Sequence, residues 1–320
     1  MKKAREHMRT AARLRWPATL AAGLATLALA GAACGGSPAK PNTSASSSTP
    51  SSAAASASGT PAKIPQVAAL VPKSLRSKGS ITMAMDATYP PDEFIASNGH
   101  TIIGMDADLG KALAAVMGLK AKEVNASFDT IIPGLSSGKY DIGLSSFTDT
   151  KAREKVVNFV DYFQAGEGFY VKSSSKTTFN GLSSLCGHKV AVESGTTEQS
   201  DATKQNTICK KDGKPGVDVE TYENQSEANL AVSSGRADVG FADSQVAAYI
   251  VKQSHGTFKL TGTAFKVAPY GIAVPKGPLD KAILAALDAL KREGIYTKIL
   301  DKWGVQSGAL KSFRINGAVS

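Results

Sequence analysis

Residues 134–149 read GLSSGKYDIGLSSFTD, and residues 231–245 read AVSSGRADVGFADSQ. Both stretches follow one order: small residues, a glycine, a basic residue, an aspartate, an aliphatic residue, a second glycine, then polar side chains. A small-small-Gly link alone is a common way to leave a helix. The joint match of Asp141-Ile142-Gly143 with Asp238-Val239-Gly240 points instead to one structural position used twice. Each phrase reads as a helix stop, a tight turn, a short buried strand and a polar strand end.

The flanking sequence extends this pattern. ITMAMDATYP (81–90) reads as a strand running into a Pro-rich turn, and MDADLGKALAAVMG (105–118) as an amphipathic helix stopped by Gly118. SFDTIIPGLSSG (127–138) reads as a helix with Pro133 in its first turn and Gly138 at its close. TKAREKVV (150–157) starts a further helix. Beyond Gly166 the theme repeats: HKVAVESG strand, TTEQSDATKQ helix, EANLAVSSG helix, ADVGFAD strand, SQVAAYIVKQ helix. Strands alternating with helices predict an α/β fold with mostly parallel sheets. In open α/β sheets ligands bind beyond the carboxyl ends of strands, so two such ends facing each other predict a cleft.

The N-terminal region is set apart by composition. Six basic residues precede an apolar, alanine-rich run and small residues lead up to Cys34, the layout of a secretory signal peptide over 1–33. Cys34 also resembles the lipidated cysteine of a bacterial lipobox, although Gly31 stands where a branched aliphatic residue is usual. The segment that follows is rich in Ser, Ala, Thr and Pro and reads as a flexible tether, with the linker region placed at 34–78. The net charge of +10 includes +5 from residues before Cys34. No basic run interleaved with aromatics is present, which argues against nucleic acid as a partner. With Cys34 assigned to lipid, Cys186 and Cys209 remain for a disulfide in an oxidising compartment, two free buried thiols being the alternative. The histidines are isolated and no metal-ligand spacing occurs, so neither a metal nor a cofactor is expected.

Local chemistry gathers at the strand ends. Thr150 can cap a helix whose first turn carries Lys151 and Arg153, cations that oppose the helix dipole and suggest a nearby anion. Arg153 can grip a carboxylate through two parallel hydrogen bonds, or simply pair with Glu154 or Asp149. Gly195, Thr196 and Thr197 form a strand-to-helix turn in which Thr196 and Gln199 fit a capping box and the backbone can present N–H groups to an anion. Asp243 can receive an ammonium group or cap the next helix.

These residues resemble a family, the bacterial extracellular solute-binding proteins of the amino-acid type (family 3), over roughly 80–305. The resemblance is carried by DATYPPDEF, GMDADLGKALA, FDTIIPGLSSGKYDIGLSSFTDTKARE, VAVESGTTEQ, GRADVGFAD, YGIAVPK and GIYTKILDKWG, in that order. It implies a two-lobed periplasmic-binding-protein-like fold (type II), with two sheets joined by crossing strands near 165–169 and 266–271. Lobe I is then discontinuous, 79–166 plus 270–316, with lobe II, 167–269, inserted. By similarity Arg153 binds the ligand carboxylate with Thr148 and Thr196, Asp243 receives the α-ammonium group, and Tyr89 covers the ligand. Asp86 contacts polar side chains, Ser145 and Ser146 line the site, and Gly195, Thr197 and Glu193 complete it. The family usually continues "YPP" with an aromatic; here Asp92 follows.

The resemblance implies a substrate-binding component of an ABC importer, without enzymatic activity, that captures a free amino acid by hinge closure. The implied protein is a monomer, lipid-anchored to the outer face of the cell membrane, with an ABC permease as partner. Arg153 and Asp243 balance a zwitterion, and the added acids Asp86, Glu193 and Asp92 favour a polar or basic side chain. Asp92 in solvent and Glu193 turned outward are the alternatives. The rival functions are a same-fold enzyme such as a dehydratase and a ligand-sensing surface lipoprotein.

Overall fold

In the computed structural model, which describes residues 60–319, the twin phrases occupy matching places. The expected leader, Cys34 and the low-complexity stretch up to residue 59 lie outside the described residues. The chain begins with α1 (Pro65–Leu70) and α2 (Lys73–Lys78), followed by β1 (Ser80–Met85), β2 (Thr88–Tyr89), β3 (Glu93–Ile95) and β4 (Ile102–Ile103). Next come α3 (Met105–Val116), β5 (Lys120–Asn125), α4 (Phe128–Ser136), β6 (Ile142–Gly143) and the single turn α5 (Lys151–Glu154). The long strand β7 (Asn158–Lys172) leads to β8 (Lys189–Glu193), α6 (Thr197–Lys211), β9 (Asp218–Tyr222), α7 (Gln225–Ser234), β10 (Val239–Asp243) and α8 (Ser244–Gln253). A second long strand, β11 (Phe258–Val274), returns to α9 (Leu279–Arg292), α10 (Ile295–Trp303) and β12 (Ala309–Ile315).

The architecture is the expected two-lobed α/β fold, with one difference. The two sheets are one hydrogen-bonded array, β5-β1-β6-β11-β7-β10-β8-β9, with β12 on β7. The outer pairs β1–β5, β1–β6, β8–β9 and β8–β10 are parallel. At the centre β7 and β11 pair antiparallel along both their halves, so they belong to both lobes. β2, β3 and β4 form a small separate antiparallel sheet.

The repeated phrase has a physical reason. Gly138 and Gly235 take left-handed φ values of 75° and 79°, where a Cβ would be strained. Gly143 and Gly240 lie in the strands, where a Cβ would come within 2.7 Å of the Ile131 side chain and 2.0 Å of the Tyr170 ring. The aspartates also match: Asp141 Oδ2 accepts the Thr82 N–H of neighbouring β1 at 2.6 Å, and Asp238 Oδ2 accepts the Lys189 N–H of neighbouring β8 at 2.9 Å.

Each lobe buries both faces of its sheet. In the first, Ile81, Met83 and Met85 pack with Leu109, Leu113, Ile283 and Leu287 from α3 and α9, while Ala84 faces Phe128, Ile131 and Leu135 of α4. In the second, Val190 and Val192 join Phe169, Phe241 and Cys209, while Ala191 faces Ala228, Val232 and Val246. Adjacent strand residues thus enter different clusters, as the two-residue repeat requires. Truncating a side chain such as Leu113, fully buried, to alanine costs about 2–5 kcal/mol.

Three expectations are corrected. The linker does not extend to 78: Pro65–Leu70 and Lys73–Lys78 are helices that bury Val67, Ala68 and Leu75. Pro133 lies inside α4 rather than in its first turn. The helix starts earlier because the Phe128 N–H is capped by Asp86 Oδ2 at 3.0 Å, a partner 42 residues away. The helix at 150–157 is one turn only, since the chain passes through buried Val157 into β7.

Candidate ligand-binding site

The cavity lies between the carboxyl ends of strands from the two lobes. It encloses about 300 Å³ of atom-free space, partly open to solvent, and is lined by thirteen residues. Ten of the eleven expected ligand-binding residues line it: Asp86, Tyr89, Ser145, Ser146, Thr148, Arg153, Glu193, Thr196, Thr197 and Asp243. Gly195 does not. It faces an adjoining groove, its N–H donates to Gln199 Oε1 at 2.8 Å, and its carbonyl accepts from Arg153 Nη2 at 2.8 Å. Of the N–H groups at this turn, that of Gly195 is thus already taken by a side chain four residues on. Gln199 also alters the capping box, because Thr196 Oγ1 accepts the Gln199 N–H at 3.1 Å but the return bond goes to Gly195.

Arg153 is placed by its short helix. Thr150 Oγ1 accepts the Arg153 N–H at 3.2 Å, and Arg153 Nη1 donates to the Thr148 carbonyl at 2.8 Å. The Phe128 and Phe147 rings, themselves stacked 4.4 Å apart, lie 5.4 and 5.5 Å from the guanidinium carbon. Among the described residues no carboxylate forms a salt bridge with Arg153. Burial lowers the pKa of Arg153, while Glu198, Asp243 and Asp149 oppose the shift.

Opposite stands Asp243, at the end of β10. Its Oδ2 accepts from the Tyr89 hydroxyl, and no side-chain cap bond joins it to α8. Burial raises its carboxyl to about 7 against hydrogen bonds from Tyr270 and Tyr89 that lower it. Thr148 and Thr197 approach within 3.4 Å of each other between these two poles.

The rest of the wall is acidic. Asp86, Glu93, Glu193, Glu198 and Asp243 face the cavity, and among the described residues Arg153 is the only cation lining it. Asp86 accepts from Thr88 Oγ1 at 2.7 Å and from the Phe128 N–H at 3.0 Å. Burial first, and then the charge of Asp86, raises the carboxyl of Glu193 from the other lobe. Burial pushes Glu93, Glu193 and Glu198 well above the usual carboxylate range. Glu193 Oε1 and Glu198 Oε1 are buried without a hydrogen-bond partner. Unpaired buried acids favour the neutral form or a cation brought alongside.

Glu93, Phe128 and Glu198 were not anticipated. Glu93 enters because β2 and β3 pair Tyr89 with Glu93, placing both on one face. Its Oε1 accepts from Ser145 Oγ at 2.6 Å. Glu198 stands in the first turn of α6, where an acid suits the helix dipole and so passes for a surface residue. Asp92 is not solvated: it is fully buried behind the cavity, accepting from Gln245 Nε2 at 2.8 Å and Ser146 Oγ at 3.0 Å. Glu193 is likewise buried rather than turned outward. Apart from the cavity, Cys186 and Cys209 form the expected disulfide. No helix among the described residues is long and apolar enough to cross a membrane.

A two-lobed α/β fold with an acid and an arginine lining one polar cleft defines a small-molecule binding protein. The chain belongs to the bacterial extracellular solute-binding proteins, family 3, whose sequence profile matches residues 81–306. It is 34% identical over 258 residues to the arginine-binding protein ArgT of Corynebacterium glutamicum, a match covering 80% of this chain and 84% of that one. Among solved structures it resembles an ancestral arginine-binding protein bound to arginine, with 38% identity, a TM-score of 0.64, and coverage of 70% of this chain and 98% of the other. It also resembles the ancestral amino acid-binding protein AncCDT-1, a precursor of cyclohexadienyl dehydratase, at 34% identity, TM-score 0.65 and coverage of 72% and 97%.

Proposed function

We propose that the protein is the extracytoplasmic binding component of an ABC importer, tethered through Cys34, and that its ligand is an amino acid with a cationic side chain. The observation that carries this is the charge imbalance of the cavity, five carboxylates against one guanidinium. Arg153 takes the ligand carboxylate through its fork, helped by Thr148 and Thr197. Asp243 and Glu198 receive the α-ammonium group. The side-chain cation lies between Asp86 and Glu93 of one lobe and Glu193 of the other. Only the closed arrangement satisfies both ligand ends, so the ligand selects closure and the closed lobes are what the permease meets. The arginine-binding relatives support this ligand class.

Calorimetric titration with L-arginine, L-lysine, L-glutamine, L-glutamate and L-leucine tests the reading. Arginine and lysine are expected to bind tightest; tighter binding of glutamate or leucine overturns it. The kinship with a dehydratase precursor makes turnover worth measuring in the same samples. A binding protein returns each ligand with its mass unchanged.

A further inference from the structure

The second lobe also touches the first outside the cavity. Gln245, in the first turn of α8, spends both N–H bonds of its amide on the first lobe. Its Nε2 donates to Asp92 Oδ2 at 2.8 Å and to the Tyr270 hydroxyl at 2.7 Å. The Tyr270 ring packs with Tyr162 and Phe163 in the interior of that lobe. Four residues further along α8, and so on the same face of the helix, the Tyr249 ring lies 6.1 Å from that of Phe94 in β3. Phe94 in turn meets Trp303 of α10 edge-on at 5.7 Å. The start of α8 is thus seated on the small sheet of the other lobe. None of Gln245, Asp92, Tyr270 and Tyr249 lines the cavity or the adjoining groove.

Burial separates this contact from others between the lobes. Ser127 Oγ donates to Glu223 Oε1 at 3.0 Å and Ser194 Oγ to Asp129 Oδ2 at 3.1 Å, but both bonds are exposed, where water is an equal partner. Asp92, by contrast, is 0% exposed. Its Oδ1 has no hydrogen-bond partner, and its Oδ2 accepts only from Gln245 and, at 3.0 Å, from the Ser146 hydroxyl among the described residues. A buried acceptor that loses one of two donors costs more than an exposed one.

We propose that Gln245 is an affinity-determining residue that never meets the ligand: its grip on Asp92 and Tyr270 favours the closed arrangement itself. This rests on the hinge closure given under Proposed function and not on the ligand's identity. When the lobes part, water takes the place of the amide on Asp92; when they close without the amide, nothing does. A ligand held only between closed lobes has its apparent affinity scaled by the closed population. Weakening the grip therefore acts on every ligand by one common factor, whereas changing a residue that lines the cavity alters the preference among ligands. The open form that admits the ligand is untouched, so the loss falls on dissociation rather than association.

The test compares wild type with Gln245→Leu, which keeps the bulk of the side chain and loses its donors; Gln245→Ala is the second variant should the first not fold. L-Arginine, L-lysine and L-glutamine are titrated calorimetrically, and dissociation is timed by stopped-flow fluorescence. Affinity for each ligand that wild type holds is expected to fall about ten-fold, by the same factor and with unchanged stoichiometry. The dissociation rate is expected to carry that loss. Unchanged affinity, factors that differ more than about three-fold between ligands, or a loss confined to the association rate overturns the proposal. Glu223→Ala, which removes an exposed contact, is expected to change affinity less than about two-fold, and a loss equal to that of Gln245→Leu overturns the choice of Gln245. Should glutamine bind wild type tighter than both cationic ligands, the reading of the ligand class fails, while the common factor is still measured and decides the role of Gln245.

Discussion

The Tyr89 hydroxyl donates to Asp243 Oδ2 at 2.9 Å and accepts the Asp243 N–H at 3.0 Å, across 154 residues of chain. One partner belongs to the small sheet and the other to the end of β10, so the pair spans the cleft. Tyr89→Phe removes both bonds and leaves a buried N–H unpaired, a loss of about 1–2 kcal/mol. Arginine affinity is expected to fall roughly ten-fold by calorimetry, and an unchanged affinity would remove this pair from the closed state.

Arg153 combines a fork of donors with two stacked rings. Arg153→Ala is expected to weaken arginine binding by about 3 kcal/mol, somewhat over a hundred-fold. Arg153→Lys should not restore it, because an ammonium group cannot reproduce the fork. Full rescue by lysine in a titration would show that charge alone suffices.

The raised carboxyl of Asp243, about 7, makes binding proton-linked. Near neutral pH the ligand-free protein holds a proton on part of this group, and the ligand ammonium displaces it. From pH 8 to pH 6 affinity for a cationic amino acid should therefore fall, with proton release visible as different heats in buffers of different ionisation enthalpy. The stability of the ligand-free protein runs the other way, because a carboxyl raised on folding costs stability as the pH climbs towards 7. Heats independent of buffer would exclude the linkage.

The disulfide closes a loop of 23 residues' separation in the second lobe. Replacing Cys186 and Cys209 together with serine is expected to cost about 3 kcal/mol and to lower the melting temperature. Cys209 lies near the carboxyl end of α6, whereas the cavity uses the first turn of that helix. Arginine affinity measured below the transition should therefore change little, and a large loss would mean that the far end of α6 sets the site.

What was legible in the sequence depended on how far away each cause lay. The twin phrases could be read because a glycine with positive φ, a bare glycine in a strand and an aspartate at the strand entry are local requirements. Arg153 and Asp243 came through the family resemblance, and the cavity unites them. Glu93 was hidden because its inward direction depends on pairing with Tyr89. Phe128 passed for an ordinary helical apolar residue, although its ring lies against Arg153. Asp92 follows a proline turn and could be read either as an acid of the cleft or as solvated, and Gln245 and Ser146, more than 50 residues away, hold it inside. The start of α4 failed for the same reason, since its cap is Asp86. Apart from Glu93, whose partner is only four residues away, the missing information was a contact distant in sequence.

The course of β7 and β11 has a consequence for how the molecule is assembled from a growing chain. β8, α6, β9, α7, β10 and α8 all lie between those two strands in sequence, so their lobe is complete once residue 265 or so has been made. The other lobe must wait for the far end of β11, for α9 and for β12, which supply Ile272, Ile283, Leu287 and Phe313 to its interior. The part begun first is thus finished last, and until then Ile81, Met83 and Leu113 lack their covering helix. A nascent chain from which residues up to 265 or so have emerged, but not α9 and β12, would hold one mature half beside one still open to chaperones and proteases.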